Sequence, residues 1–389
     1  MSRILYLTDG PAAPAFSFPL FTELRKAKHI IRAVPTDSAC LLLNIFGWAA
    51  IAGSPAKTFT QLADEDWDWP ELILLAPASA NFLGSLAASP WRERLEQAKS
   101  PVLVLPALLA NDDQQAAAAQ IRANLPANCQ LLLPQKDTLG LGALGTVALA
   151  STRRCLLACR RALTKQDLAG QRLLLTAGPT IEDIDPVRFV SNRSTGRMGL
   201  ALAEAAFCRG AEVTVVHGPL PALDFPAFPD RLRLMPVRSA KEMYEAVIAA
   251  IPQCDIAVLC AAVADYAPSS CAAQKIKKQP DEALHLCLER TPDILAALGN
   301  LPEPRPFLVG FAAESNDLEE NAALKLKTKH CDLICANNIS EPGCGFAVST
   351  NRVTIFFQDG TPALELPLLS KDETASRILD QVVKRLPTR

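Results

Sequence analysis

Short apolar runs recur along the chain, separated by segments with helical spacing. In the first half they read "RILYLT", "HIIRAVP", "ELILLAPA", "PVLVLPAL" and "NCQLLLP", and a helix is expected from Pro19 to Lys28. Near-continuous apolar strands spaced by helices are the pattern of a parallel sheet covered on both faces, because neither side of such a strand meets water. From Leu163 to Gln171 ("LTKQDLAGQ") the chain turns polar, and the pattern restarts with "RLLLTAG", "AEVTVVHGP", "DIAVLCAA", "PFLVGFAA" and "CDLICANN". The restart predicts two α/β domains, residues 1–165 and 170–389. Near the end, "RVTIFFQDGTPALELPL" reads as a hairpin turning at Asp359-Gly360, before an amphipathic helix from about Lys371.

Composition narrows the class. The chain has 389 residues, 49% hydrophobic and 21% charged, enough for two buried cores. A net charge of -2 offers no basic footprint, so neither nucleic acid nor an anionic membrane is expected as a partner. The 12 cysteines fall singly on apolar segments, as Cys40, Cys208, Cys254, Cys260 and Cys287 do, and most are expected to be reduced core residues. Cys155/Cys159 and Cys331/Cys335 are i, i+4 pairs outside any Cys-x-x-Cys pattern, so no metal site of that kind is expected. "MSRILYLTDG" enters a strand directly, and no apolar run approaches the roughly 20 residues of a membrane span, so a cytoplasmic protein is expected.

The densest chemistry is "DIDPVRFVSNRSTGRMG", between a strand and a helix-like segment. The preceding "TAGPTIED" lacks the G-x-G-x-x-G of dinucleotide sites, which disfavours a nicotinamide oxidoreductase. Asn192, Ser194, Thr195 and the Gly196 amide instead fall near a helix N-terminus, where free N–H groups and the helix dipole attract anions. Spacing alone leaves a plainer alternative open, in which Ser194 or Thr195 is an N-cap and Arg188 an exposed charge. Further on, an apolar strand ends at Asp265 and is followed by Lys275, Lys277 and Lys278. Such a cluster is either a solvated face or a polyphosphate site beyond a strand's carboxyl end. Phe311 caps another strand, and Lys325 and Lys329 stand i, i+4 on the next helix, within reach of one phosphate chain.

The tract "TAGPTIEDIDPVRFVSNRSTGRMG", followed in order by "AAVADY", "KIKKQ", "TPDILAAL", "VGFAAES" and "DLICANN", closely resembles the phosphopantothenate-cysteine ligase half of the bifunctional coenzyme A biosynthesis flavoprotein. The resemblance runs from about residue 170 to the end and implies a Rossmann-like domain with a small β-hairpin extension. It implies an enzyme that joins 4'-phosphopantothenate to L-cysteine with CTP and Mg2+ through an acyl-cytidylate. On the family pattern Asn192 handles that intermediate, Arg188 holds substrate or intermediate, and Lys275 serves CTP and the activation step. Leu259, Cys260, Ala261, Asp265, Thr291, Pro292, Asp293, Ile294, Phe311, Lys325 and Lys329 match positions that contact CTP. Thr291 departs from the family's usual asparagine. A homo-oligomer is implied, paired as a dimer through the ligase domain.

The first domain resembles the flavodoxin-like decarboxylase half of the same family, chiefly through "ELILLAPASANFLGSLA". Its working parts are missing. The flavin-phosphate turn reads "LTDGPAAPAF", where Asp9 repels a phosphate and Pro11 removes an amide donor. No histidine occurs between His29 and His217; Pro106-Ala107-Leu108-Leu109 stands for the family's Pro-Ala-Met-Asn; and "KDTLGLGALGTVA" holds no cysteine. Only Asn111 and Cys129 lie near enough to be relocated substitutes. FMN is expected to be absent and decarboxylation lost. A still bifunctional enzyme and a non-catalytic flavin-binding scaffold are the alternatives.

Overall fold

The computed structural model describes residues 1–109, 113–134, 138–140, 146–220, 228, 231–277, 283–345 and 348–386. The chain divides into two compact units, Met1–Thr164 and Lys165–Arg389. In the first, β1 (Arg3–Thr8), β2 (Ile30–Pro35), β3 (Leu72–Ser79), β4 (Val102–Leu109) and β5 (Cys129–Leu131) pair in parallel in the order β2-β1-β3-β4-β5. This is the flavodoxin-like doubly wound order. β6 (Thr138–Gly140) and β7 (Thr146–Ala148) form an antiparallel pair, and β7 continues onto the end of β4. On one face Leu5, Leu7, Ile73, Leu75, Val102 and Val104 pack with Trp67 and Trp91.

The first helix corrects an expectation. It runs Ala13–Lys26 with Pro19 inside it, instead of starting at Pro19. Its buried residues Ala13, Phe16, Ser17, Leu20, Phe21 and Leu24 form one i, i+3, i+4 stripe across the proline. Burying each large apolar side chain is worth roughly 1.5–3 kcal/mol, so the stripe outweighs the roughly 3 kcal/mol that an interior proline costs.

The second unit contains β8 (Arg172–Ala177), β9 (Ile181–Asp183), β10 (Phe189–Ser191), β11 (Glu212–His217), β12 (Leu232–Pro236), β13 (Ile256–Leu259), β14 (Tyr266–Pro268), β15 (Leu288–Arg290), β16 (Phe307–Glu314), β17 (Leu333–Asn338), β18 (Thr350–Asn351), β19 (Thr354–Phe357), β20 (Leu364–Glu365) and β21 (Leu369–Ser370). An 8-stranded sheet has the order β12-β11-β8-β13-β16-β17-β19-β20. It is parallel from β12 to β17, and the β19–β20 hairpin closes it antiparallel. The first strand of the unit, β8, lies between its second and its fourth main strands. The order therefore reverses at β8 and β13, and the crevice beyond their carboxyl ends is where open α/β sheets bind ligands. Short ribbons, β9–β10 and β14–β15, leave the loops at that end. Phe311 does not cap its strand; β16 continues to Glu314.

The helix Arg197–Cys208 is buried from Gly199 to Cys208, and the C-terminal helix Lys371–Val383 packs on it through Ala375, Ile378, Leu379 and Val382. That last helix is started by Ser370 and Glu373 in a reciprocal capping box. All 12 cysteines are free, but Cys271, after β14, and Cys287, immediately before β15, are exposed rather than core residues, because both flank the outlying two-stranded ribbon. Among the described residues no helix is long and apolar enough to cross a membrane.

Gly199 sets the approach of the helix Arg197–Cys208 to β8: a Cβ there would lie 2.7 Å from Ala177 Cβ and 3.1 Å from Ala177 Cα. Gly199→Ala is expected to destabilise the unit, since overpacking costs roughly 1–3 kcal/mol against a helix-propensity gain of about 1 kcal/mol. Urea unfolding monitored in the full chain tests this, and an unchanged or raised midpoint would contradict the close packing.

Candidate functional site

The site begins at the carboxyl ends of two neighbouring strands. Past β8 and β13 the chain stays paired through polar groups: Ala261 N–H donates to Thr176 Oγ1 (3.1 Å), Ala262 N–H to the Gly178 carbonyl (2.9 Å) and Ala264 N–H to Thr180 Oγ1 (3.0 Å). Thr176 and Thr180 are both fully buried, so their hydroxyls serve the backbone. Asn192, just after β10, donates from Nδ2 to the carbonyls of Ala262 and Val263, each at 3.0 Å. Its amide is thereby fixed over the switch point while the residue stays exposed.

A second connection joins the arginine loop to the lysine segment. The buried carboxylate of Asp185 accepts N–H donors from Val187 (2.7 Å), Arg188 (2.8 Å) and Ile276 (3.1 Å), and pairs with Arg188 Nη1 at 2.8 Å. Arg188 Nη1 also donates to the Ile276 carbonyl at 3.2 Å. Burial by itself would raise the Asp185 carboxyl; donation by the three N–H groups and the Arg188 charge outweigh it and hold the group below the usual carboxylate range. Asp185 thus brings Arg188 beside the segment that carries Lys275 and Lys277. Both lysines are exposed, and among the described residues neither has an ion-pair partner. Lys278 lies outside the described residues.

Of the two readings of "NRSTGRMG", the simple N-cap fails for Ser194. The N-cap of the helix Arg197–Cys208 is Gly196, at φ 72 and without a side-chain cap, and its N–H donates to Ser194 Oγ at 3.2 Å. Glycine is required here because φ is positive and because a Cβ would meet Leu220 Cδ2 at 2.3 Å.

The expected nucleotide positions form a connected run. Leu259 ends β13 in the core, followed by Cys260 and Ala261, both half-buried. Burial pushes the Cys260 thiol up to about 12, so it is neutral at pH 7. Thr291 ties the run together: its N–H donates to the Asp265 carbonyl (3.1 Å) and its hydroxyl to the Ala264 carbonyl (2.6 Å). Asp265 and Pro292 are exposed, and Ile294 is buried at the start of the helix Ile294–Gly299. Asp293 is the N-cap of that helix, accepting from Ala296 N–H at 2.8 Å, and it pairs with Lys329. Burial pushes the Asp293 carboxyl up, but Lys329 and the Ala296 N–H reverse the sign and hold it low. Lys325 pairs with Glu314 at 2.8 Å. The two lysines thus have separate carboxylate partners, and Lys329 is the C-cap after the helix Leu318–Thr328 rather than a member of it. Phe311 is half-buried on β16, opposite Cys335 in register.

Sequence reasoning passed over Asp185, Thr176, Thr180 and Glu314. Only Asp185 left a signal: Asp-Pro-Val-Arg places a carboxylate three residues before an arginine across a proline turn. In the first unit, Asp9 is buried after β1, and Pro11 precedes the first helix. Pro106 to Leu109 end β4, with Leu108 buried and Leu109 exposed. Asn111 lies outside the described residues, as do most of the "KDTLGLGA" residues. Cys129 is aligned with Val102, at the amino end of β4, and burial pushes its thiol up to about 12. It stands at the opposite end of the sheet from the strand carboxyl ends.

Comparison with known proteins shows the family of the chain. Residues 168–386 match the family described as the DNA/pantothenate metabolism flavoprotein C-terminal domain. The chain is 39% identical over 396 residues to the coenzyme A biosynthesis bifunctional protein CoaBC of Vibrio vulnificus (strain YJ016), covering 98% of this chain and 97% of that protein. It is 36% identical over 396 residues to the CoaBC protein of Bacillus subtilis (strain 168), covering 98% and 96%. A crystal structure of the C-terminal domain of a CoaBC protein is 42% identical, with a TM-score of 0.47, covering 57% of this chain and 97% of that one.

Asp185→Asn is expected to loosen the joined loops, because it removes the charge that strengthens four hydrogen bonds at once. Amide hydrogen exchange at Val187, Arg188 and Ile276 is expected to rise by about tenfold or more. The folded carboxyl is depressed, so in the unsubstituted chain this protection is complete above the ordinary aspartate range of about 4 and is lost as pH falls through the lower folded value. Exchange at these amides that Asp185→Asn leaves unchanged would contradict the assignment.

Proposed function

The chain belongs to the family of the bifunctional coenzyme A biosynthesis proteins, and from that premise we propose that its second unit is a CTP-dependent phosphopantothenate-cysteine ligase whose first unit has lost decarboxylation. The observation that carries the ligase reading is the junction made by Asp185, which holds Arg188 beside the Lys275–Lys277 segment, next to an Asn192 amide fixed at the switch point. A carboxylate is a poor electrophile for an amine, so it must first be activated. In the proposed reaction the 4'-phosphopantothenate carboxylate attacks the α-phosphorus of magnesium-bound CTP. The α–β bond breaks, pyrophosphate leaves, and an acyl-cytidylate forms. The cysteine amine then attacks the acyl carbon, the acyl–phosphate bond breaks, and CMP leaves.

Both steps gather negative charge, and the protein's task is positioning and neutralisation. Lys275 has no resident partner among the described residues, so its charge is available to the triphosphate during activation. Arg188, oriented by Asp185, holds the substrate or the intermediate. Asn192 presents an amide in a fixed direction to the acyl-cytidylate. Lys325 and Lys329 exchange Glu314 and Asp293 for nucleotide phosphates when CTP binds, while Leu259 to Ala261, Asp265, Thr291 to Ile294 and Phe311 receive the nucleotide. Magnesium enters on the triphosphate as part of the substrate.

Loss of the first unit's chemistry is supported by the missing histidine, asparagine and cysteine and by the position of Cys129 at the far end of its sheet. Thiol oxidation by a flavin and protonation by a cysteine acid have no residues to support them here. A dimer through the ligase unit is supported by exposed apolar residues on and beside its ribbons: Val187, Phe189, Tyr266, Leu284, Leu286 and Leu288.

With 4'-phosphopantothenate, L-cysteine, CTP and Mg2+, the chain is expected to form CMP and the amide product in equal amounts; absence of CMP with every nucleoside triphosphate would refute the assignment. Lys275→Gln is expected to slow pyrophosphate release by roughly 100- to 1000-fold, in line with removal of one charge-stabilising group. Near-normal turnover would make the lysine segment a solvated face. No carbon dioxide is expected from the amide product with added FMN, and measurable release would return the chain to the bifunctional class.

A further inference from the structure

The carboxyl end of the first sheet contains an anion of the protein's own. Asp9 follows β1 and is 7% exposed. Its Oδ1 accepts from Thr36 Oγ1 at 2.6 Å and from Ser38 Oγ at 2.5 Å, and its Oδ2 accepts from Ser79 Oγ. Thr36 and Ser38 follow β2, and Ser79 ends β3, so the donors come from both neighbours of β1. Gly10 N–H donates to Ser38 Oγ at 3.0 Å, Phe82 N–H to Ser79 Oγ at 3.1 Å and Ala39 N–H to Thr36 Oγ1 at 3.3 Å, which turns each hydroxyl hydrogen toward the carboxylate. Among the described residues no lysine or arginine pairs with Asp9, and the helix Ala13–Lys26 that follows has no acidic residue in its first turn. A buried carboxylate met only by hydroxyls is the donor set of an oxyanion site with the anion supplied in cis.

The family's flavoprotein character implies FMN in this unit, and these residues do not fit its phosphate. The hydroxyls that would ligate it are used by Asp9, and a second anion against a buried carboxylate is repelled. We propose that Asp9 is a built-in stand-in for a phosphate: its carboxylate ties the ends of β1, β2 and β3 together in the place of a phosphate monoester, and removing it opens a phosphate site. The inference rests on the reading of the first unit as flavin-free, but it concerns binding and not decarboxylation. The anion supplies the crosslinks between strand ends that a bound cofactor phosphate would supply. The unit is therefore complete without one.

The test uses the full chain and three probes, FMN, riboflavin and inorganic phosphate, with binding followed by flavin fluorescence and by thermal melting. Unsubstituted protein is expected to show no phosphate-dependent preference for FMN over riboflavin and no rise in melting temperature specific to phosphate. Asp9→Gly is expected to melt lower, to be restored by phosphate or FMN, and to bind FMN at least about tenfold more tightly than riboflavin. Asp9→Asn keeps the volume but loses the charge, so it is expected to melt lower without gaining phosphate affinity. If Asp9→Gly is unfolded in plain buffer, refolding in phosphate is the expected outcome. An Asp9→Gly protein that neither binds nor is refolded by phosphate overturns the proposal, as does unsubstituted protein that already prefers FMN over riboflavin. Unsubstituted protein that binds FMN and riboflavin equally would end the flavin-free reading and leave this inference standing, whereas a phosphate-dependent preference for FMN ends the inference, so the two failures are told apart.

Discussion

The second unit depends on how β8 and β13 satisfy their backbone beyond the regular ladder. Where β8 and β13 leave the sheet, N–H and carbonyl groups lose their ladder partners, and each buried group left unmet costs about 1–3 kcal/mol. Thr176, Thr180 and the Asn192 amide meet this demand with short side chains that reach across the gap. The strand ends at the switch point are therefore held together by groups that would otherwise be a liability. Asn192 serves both the fold and the proposed chemistry, because the carbonyls that it satisfies also fix its direction.

Charge is distributed around this frame in two ways. Lys325 and Lys329 rest against Glu314 and Asp293, so these cations are neutralised by the protein's own carboxylates. Lys275 and Lys277 have no such partner among the described residues, and their segment is anchored through the Ile276 backbone instead. On the proposed reading, a nucleotide meets one available group of positive charges and one group that must exchange partners. The first unit uses its strand ends in the opposite way, filling them with a carboxylate of its own.

Most of the scaffold was legible in the chain because burial on both faces writes itself as continuous apolar runs. The hairpin at Asp359-Gly360 was legible for a similar local reason, with Gly360 at φ 80. The helix through Pro19 was not, since local propensity argues against it and only packing of Phe16, Leu20, Phe21 and Leu24 overrides that. At the site, Asn192, Arg188 and Lys275 could be singled out by their company, whereas their mutual arrangement could not. The link between them is Asp185 to Ile276, across 91 residues, and no periodicity encodes such a contact. The same holds for the carboxylate partners of Lys325 and Lys329, which come from different elements.

The central claim is that the second unit activates a carboxylate on CTP before the amine is engaged. Rapid mixing of the chain with CTP, Mg2+ and 4'-phosphopantothenate, with cysteine left out, tests it most directly. The account predicts a burst of pyrophosphate equal to the number of active sites, with the cytidylate retained until cysteine is added and CMP is released. Pyrophosphate that appears only after cysteine is present, with no cytidylate trapped beforehand, would contradict it.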